Sequence, residues 1–343
     1  MIIFLSIIGL VAVGLYLYTR PVHHPYATDK GDLDFAIDEK YTIQTLQCKD
    51  DYEGEVVATL VKHPPLDSTK KAVLYIHGYI DYFFHDHVAQ WYVNQGYNFY
   101  ALDLRKNGRS WLPHQRPCMV KNFNEYFEEI DMALDIIQDE GHDFIIMNGH
   151  SNGGLITSIY LEEGKNKNKV NAAFLNAPFL QWPYDWAFTN VIKIVSRLGA
   201  IRPYGVAPDQ PNPIYFESLH AEAKGKWDYN LGWKPFYGFP KYLAWLKAVT
   251  DAQNKVTRGL NIKQPILVMA SDKTYKKTEF TPDIMKGDAI LYVEHIKKYA
   301  PSLGENVTYE EVPNAIHDLF LSTPEVIEDT SGRLEKWLRQ IEK

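Results

Sequence analysis

The sequence has little of what identifies several common classes of protein. Cys48 and Cys118 are its only cysteines; these two can pair, but a chain with so few does not depend on disulfides. The net charge is −7 with both signs spread along the chain, and the densest basic run, residues 165–169, separates a predicted helix from a predicted strand. Such a run is typical of a solvated loop, so we expect no nucleic-acid partner. Repeats and low-complexity segments are absent, and 343 residues, 45% hydrophobic, suffice for one large α/β domain with an insertion or two modest domains.

The longest uncharged run lies at the N-terminus. Residues 2–18 are mostly apolar, and as a helix rising ~1.5 Å per residue they would extend about 25 Å, slightly less than a ~30 Å hydrocarbon core. No lysine or arginine precedes the run and no small-x-small cleavage site follows it, which favours an uncleaved membrane anchor over residues 1–20 rather than a signal peptide. Arg20 and Lys30 follow the span, so we expect a single-pass membrane protein with a cytoplasmic catalytic domain. Residues 21–40 are polar and acidic and indicate a tether.

From residue 41 onward, strand patterns alternate with helix patterns. The first two predicted strands, residues 41–47 and 55–61, form an antiparallel pair joined near Gly54. The remaining alternation predicts an α/β fold whose mostly parallel sheet has helices on both faces, with its core over residues 41–177 and 260–343. The other predicted strands are residues 72–76, 98–102, 170–175, 266–270 and 307–312, and the predicted helices are residues 88–94, 123–138, 155–163, 290–299 and 325–341.

The alternation is interrupted between residues 178 and 259, a stretch that we call the cap segment. It is rich in proline, glycine and aromatic residues and holds five of the eight tryptophans. Because it lies between two sheet strands, we expect it to cover the carboxyl edge of the sheet as a lid. An apolar acyl channel, or contact with a bilayer surface, would account for so many aromatic side chains. The tryptophans are Trp182, Trp186, Trp227, Trp233 and Trp245.

The strongest chemical motif is a serine in a strand–turn–helix context. A short apolar run ends at Gly149, Ser151 and Gly153 follow at alternate positions, and a helical pattern begins at once. Glycines on both sides permit the strained turn and the close approach of strand and helix. The turn exposes the serine hydroxyl, and the N–H of Asn152 at the start of the helix can point at a developing oxyanion.

A serine nucleophile needs a base, and the base needs an anion that orients it. His317 follows the last predicted strand and is the predicted base. Two acids are candidates: Asp272 directly follows a strand, whereas Asp288 leaves room for just one helix and one strand before His317. We therefore favour Asp288, with Asp272 as the alternative. Asp318 is implausible because an adjacent side chain does not easily reach its neighbour's Nδ1.

Four motifs follow one another along the chain: His77 with Gly78, residues 103–110, residues 149–153 and His317. In this order they resemble the α/β-hydrolase superfamily, and within it the group of monoacylglycerol lipases, lysophospholipases and serine aminopeptidases. The resemblance implies an α/β-hydrolase fold over about residues 40–343, with the N–H of Tyr79 joining that of Asn152 in an oxyanion hole. Two departures are visible: Asn152 stands where a larger apolar residue or glutamine is commoner, and Lys106 with Asn107 replaces a glycine and a histidine.

The sequence thus predicts a serine hydrolase that cleaves carboxylic esters of single-chain lipids through an acyl-enzyme, with no metal or cofactor. A serine argues against dehalogenase and epoxide-hydrolase chemistry, which use an aspartate nucleophile on this fold. His85, Asp86 and His87 are weak evidence for a metal, since no further ligand cluster accompanies them.

Two other functions remain open. One is an aminopeptidase, which would need carboxylates in the cap segment to hold the substrate amine; the other is a non-catalytic lipid-binding protein. The serine, acid and histidine argue against the second. The carboxylates available to the first are Glu217, Glu222 and Asp228.

Overall fold

An eight-stranded sheet forms the centre of the protein. The computed structural model describes residue 37 and residues 39–66, 69–207 and 213–343. The strand order across the sheet is β1-β2-β4-β3-β5-β6-β7-β8. The strands are β1 (Thr42–Gln47), β2 (Val57–Lys62), β3 (Lys71–Ile76), β4 (Asn98–Asp103), β5 (Phe144–His150), β6 (Val170–Asn176), β7 (Ile266–Ser271) and β8 (Val307–Val312).

The sheet is antiparallel at one edge and parallel elsewhere. Strand β2 pairs antiparallel with both β1 and β4, whereas every pairing from β4 through β3 to β8 is parallel. The inner parallel strands are largely apolar, and every residue of β4 and β7 is buried, as expected where helices cover both faces; the edge strand β8 is more exposed. This confirms the predicted mostly parallel sheet and its antiparallel first pair.

In the described part of the chain, eight α-helices lie between or after these strands, and local sequence explains where some of them begin and end. Asp185 caps the N-terminus of α4 by accepting from the Phe188 N–H at 2.8 Å. Helix α6 ends at Gly259, whose φ of 96° suits a residue without Cβ. The helices of the described chain are α1 (Asp86–Asn94), α2 (Phe127–Asp139), α3 (Asn152–Glu163), α4 (Trp186–Ser196), α5 (Ile214–Leu219), α6 (Leu243–Arg258), α7 (Val293–Tyr299) and α8 (Pro324–Ile341).

The N-terminal part of the prediction is corrected. Residues 1–20, the predicted anchor, and nearly all of the predicted tether lie outside the described residues. Across the described ranges, no helix is both long and apolar enough to cross a bilayer. The longest, α8, has 18 residues but buries one apolar face and carries charged side chains on the other. The predicted transmembrane helix, single-pass membrane location and cytoplasmic orientation were therefore wrong, whereas the α/β-hydrolase core stands.

The cap segment contributes to three hydrophobic clusters, the smallest of which packs Tyr242 and Ala244 against Met119. Helix α6 buries Trp245, Val249 and Val256 in the main core between the sheet and its helices. Residues from α5 and the following loop, including Tyr215 and Trp233, instead form a second cluster. That cluster also contains side chains from the loops after β3 and β8, so it covers the carboxyl edge of the sheet.

Candidate active site

Ser151 lies at the tip of the sharp turn between β5 and α3. Its backbone has φ 52° and ψ −115°, a conformation that L-residues rarely adopt. The surroundings hold this geometry, since the Ser151 N–H donates to the Asn176 carbonyl and the Phe179 N–H donates to the Ser151 carbonyl, both at 2.9 Å. The hydroxyl thus projects from the carboxyl edge of the sheet.

The glycines on either side of Ser151 are required by close packing. A Cβ at Gly153 would lie 2.3 Å from the Ile76 carbonyl oxygen and 2.4 Å from that of His77. A Cβ at Gly149 would lie 2.7 Å from the Gly153 carbonyl oxygen. The turn therefore brings β3, β5 and α3 together more closely than any residue with a side chain permits.

The structure brings Ser151, His317 and Asp288 into one buried chain of hydrogen bonds. His317 Nε2 lies 2.8 Å from Ser151 Oγ, and His317 Nδ1 lies 2.9 Å from Asp288 Oδ2. With the Nδ1 proton directed at the carboxylate, Nε2 is left to accept the serine proton. The other carboxylate oxygen of Asp288 accepts from the N–H groups of Ile290 and Leu291, each at 2.8 Å. One oxygen of this fully buried acid thus contacts the imidazole, and the other fixes the carboxylate to the backbone.

The alternative acid has a different partner. Asp272 is exposed, and its Oδ1 accepts from the Asn314 N–H at 2.9 Å. Asn314 has a φ of 59° in the loop that leads to His317, so Asp272 supports that loop rather than the imidazole itself.

The loop after β3 brings Tyr79 to the same edge of the sheet. A Cβ built at Gly78 would lie 3.4 Å from Ser151 Cβ, so the backbone of this loop passes beside Ser151. On the other side, Asn152 is the first residue of α3, where its N–H has no carbonyl one turn earlier within the helix. The two N–H groups expected from the resemblance thus belong to segments that adjoin Ser151.

His77 fixes one peptide of that loop. Burial lowers the pKa of His77, so the ring is neutral. Its Nε2 accepts from the Leu104 N–H at 3.0 Å, and its Nδ1–H donates to the Gly78 carbonyl at 2.8 Å. Because C=O and N–H point in opposite directions across a trans peptide, holding the Gly78 carbonyl also sets the direction of the Tyr79 N–H.

A second buried histidine–carboxylate cluster lies behind the candidate base. Asp318 accepts from His85 Nε2 at 2.9 Å and from Asn176 Nδ2 at 2.8 Å. Burial alone raises the pKa of Asp318, but attraction to His150 and His85 outweighs burial and holds this pKa well below 3.8. Burial lowers the pKa of His150 to about 4 despite its proximity to Asp318. The ring of His150, 5.0 Å from that of His317, therefore stays neutral and does not repel an imidazolium there.

Ser151 opens into a cavity of about 330 Å³ whose walls come largely from the cap segment. Trp182 and Trp245 line it, and Trp245 stacks on Tyr79 with ring centroids 3.8 Å apart. The carboxylates that line it are Asp81, paired with Lys234 at 2.5 Å, and Asp318, already bonded to His85. The other aromatic lining residues are Tyr79, Phe179, Tyr184, Tyr215, Phe216, Phe236, Tyr237 and Phe239.

Other residues singled out in the sequence lie elsewhere. His85, Asp86 and His87 do not share a partner. His85 bonds to Asp318, and His87 bonds to the Phe320 carbonyl. Asp86 bonds to Lys40 and Tyr41. Both cysteines, Cys48 and Cys118, are buried free thiols. Sequence reasoning did not find the Asp81–Lys234 pair, because these residues lie 153 positions apart and neither belongs to a motif.

Comparisons with known proteins agree with this geometry. Comparison with curated protein sequences gives no match. Similar solved structures include a soluble variant of monoglyceride lipase from Saccharomyces cerevisiae in complex with a substrate analog, at 17% identity and a TM-score of 0.62, covering 88% of this chain and 97% of that one. A monoacylglycerol lipase from Paleococcus ferrophilus is also 17% identical, with a TM-score of 0.59 and coverage of 88% and 99%. A thermostable carboxyl esterase from Bacillus coagulans is 14% identical, with a TM-score of 0.62 and coverage of 87% and 98%.

At these identities the solved structures establish a shared fold. A family model described as serine aminopeptidase, S33, matches residues 67–274, more than half of the chain. This match, together with the fold, confirms the resemblance noted in the sequence. The chain belongs to the serine aminopeptidase S33 family of α/β-hydrolases.

Proposed function

We propose that this protein is a serine hydrolase that cleaves carboxylic esters, with single-chain lipids as its substrates. The observation that carries the proposal is the buried chain from Ser151 Oγ through His317 to Asp288, opening into an aromatic cavity. A hydroxyl, an imidazole and an orienting carboxylate at these distances are the parts that acyl transfer requires.

Each step of the proposed reaction uses groups already in place. Ser151 Oγ attacks the ester carbonyl while its proton passes to His317 Nε2, and the Tyr79 and Asn152 N–H groups stabilise the oxyanion. The tetrahedral intermediate collapses by breaking the bond to the alcohol oxygen, which takes the proton from His317. A water molecule then attacks the acyl-enzyme, giving its proton to His317, and collapse releases the acid and restores the Ser151 hydroxyl.

The cavity lining supports an apolar acyl group. Trp182, Trp245 and Phe179 place aromatic surface beside the serine. Burying a methylene against such surface contributes up to ~0.8 kcal/mol, so each carbon added to the acyl chain strengthens binding until the cavity is full.

The outer surface of the cap segment supports access from aggregated lipid. Helix α4 exposes apolar side chains, among them Trp186, which is 84% exposed. Phe188 on the same helix packs edge-on against Tyr184, a cavity residue, with ring centroids 4.8 Å apart. Tyr237 both lines the cavity and is 62% exposed. Exposed apolar side chains of the cap segment thus reach the cavity through the contact of Phe188 with Tyr184, as suits peripheral contact with a lipid interface.

The charges argue against an aminopeptidase. Glu217 pairs with Lys224 at 2.6 Å, and Glu222 and the Asp228 side chain are exposed. None of the three lines the cavity. Among the described residues that do, Asp81 and Asp318 are already paired, so a substrate amine would find no unpaired carboxylate there.

The test is a comparison of substrates with the purified full chain. We expect kcat/KM to rise from acetyl to at least a medium-chain acyl ester, and monoacylglycerol and lysophospholipid to be cleaved faster than aminoacyl amides. The Ser151→Ala variant is the control for contaminating esterases. A preference for acetyl esters, or for aminoacyl amides over all acyl esters, would contradict the lipid assignment.

A further inference from the structure

The wall of the cavity contains one buried ion pair between the cap segment and the core. Lys234 Nζ lies 2.5 Å from Asp81 Oδ1, and the two side chains are only 7% and 2% exposed. Aromatic rings of Phe84, Phe216 and Tyr229 surround the ammonium, with centroids 5.3–5.8 Å away. Burying two charges costs desolvation energy, and a well-packed apolar pair in the same place is often as stable as the ion pair. This buried pair therefore needs an explanation other than stability.

Asp81 connects this pair to the backbone beside the nucleophile. Its second oxygen accepts from the Gly78 N–H at 3.3 Å. The Gly78 carbonyl is held by His77, so contacts fix Gly78 on both sides. The next N–H along the chain is that of Tyr79, the proposed oxyanion donor.

The loop needs such support because its conformation is strained. Ile80, a β-branched residue between Tyr79 and Asp81, has a φ of 52°. The cap segment holds the same loop at another point, where the Asn230 N–H donates to Tyr82 Oη at 2.6 Å. Strained backbone persists only where its surroundings determine it.

We propose that Lys234 is a positioning residue: by holding Asp81 it fixes residues 78–80 so that the Tyr79 N–H points at the oxyanion. This inference rests on the proposed function. The cap segment then does more than form a wall of the acyl site. It also takes part in catalysis, because residues 78–80 are correctly placed only while Lys234 is bonded to Asp81.

The test uses the double variant Asp81→Asn with Lys234→Met in the full chain, since removing both charges avoids leaving one buried alone. We expect a folded protein in which kcat for a medium-chain aryl ester falls at least 10-fold, toward the ~10²–10³-fold cost of losing an oxyanion donor. KM should change less than about threefold, because the acyl wall is intact. Affinity for a trifluoromethyl ketone, which forms a tetrahedral adduct with the serine, should fall by the same factor as kcat.

Two further variants separate positioning from general stability. Asp81→Asn alone keeps one oxygen, which can still accept from one of the two donors, and should lose kcat in the same direction but by less. The control is Arg105→Met with Glu129→Gln, which removes another buried ion pair (2.6 Å) that does not line the cavity; it should change the melting temperature without changing kcat.

A kcat within twofold of the unmutated protein in both Asp81 variants would overturn the inference, as would a loss confined to KM. If the unmutated protein itself hydrolysed no ester, the proposed function would fail instead. The two failures are therefore distinguishable.

Discussion

At the scale of single residues, two aspartates near the site have different partners and therefore different expected roles. Asp288 uses one oxygen on His317 and the other on two backbone N–H groups. Asp272 uses one oxygen on the Asn314 N–H. The spacing of each aspartate from His317 along the chain favours Asp288, but only the fold shows that the Asp288 carboxylate contacts the imidazole.

The different partners of Asp288 and Asp272 give the first mutational prediction. Asp288→Asn keeps an oxygen for the backbone N–H groups but presents an amide to His317, which favours the wrong tautomer, and should lower kcat about 10⁴-fold. Asp272→Asn still accepts from Asn314 and should lower kcat less than about tenfold. Steady-state kinetics of both variants, with circular dichroism to confirm folding, provide the measurement; the reverse ranking would show that Asp272 is the acid.

Residue-level prediction from sequence has a clear limit. Ser151 and His317 lie in local patterns that a reader can recognise, a glycine-flanked turn and a loop after the last strand. Asp81, Lys234 and His85 lie in no such pattern, and their partners are remote in sequence. When a buried charge is recognised only by its partner in the folded structure, the sequence alone does not reveal it.

At the scale of elements, apolar periodicity predicts the core well because each element buries a regular face. The strand predicted at residues 72–76 is β3 (Lys71–Ile76), and that predicted at residues 98–102 is β4 (Asn98–Asp103). The differences have local causes. The helix predicted from residue 290 begins instead at Val293, after a turn in which Asp288 accepts from the N–H groups of Ile290 and Leu291.

The cap segment is the part that periodicity does not predict. Its aromatic residues follow no regular spacing, and their positions depend on what they contact: Trp245 packs in the core and stacks on Tyr79, whereas Trp186 is exposed. Aromatic richness alone indicated an apolar surface without distinguishing these two locations.

At the N-terminus, the sequence led to a wrong prediction. The hydropathy and length of the apolar run indicated a membrane-spanning helix, which the described structure does not support.

At the scale of the whole molecule, buried histidines set the expected pH dependence of stability. Burial lowers the pKa of His150 and of His87 to about 4, from an ordinary value of 6.5. The unfolded chain therefore binds protons at these sites as pH falls through about 6.5, while the folded protein does not until about 4. Their stabilising effect is complete above pH ~6.5 and is lost between ~6.5 and ~4, by up to ~1.4 kcal/mol per pH unit for each histidine.

We accordingly expect the free energy of unfolding to fall on acidification from pH 7 to pH 4.5, with an uptake of at least about two protons on unfolding. Urea unfolding at several pH values measures this slope. His87→Gln, whose amide can still donate to the Phe320 carbonyl as His87 does at 2.8 Å, should reduce the slope by about one proton. A stability that stays constant or rises on acidification would be incompatible with neutral buried histidines.

The central claim is that Ser151 is acylated. The most direct measurement is mass spectrometry of the full chain after reaction with a fluorophosphonate that carries an alkyl chain, with digestion to locate the adduct. We predict a single adduct on Ser151, formed in proportion to the loss of esterase activity and absent from the Ser151→Ala variant. Full esterase activity without modification, or an adduct located at another residue, would contradict the account.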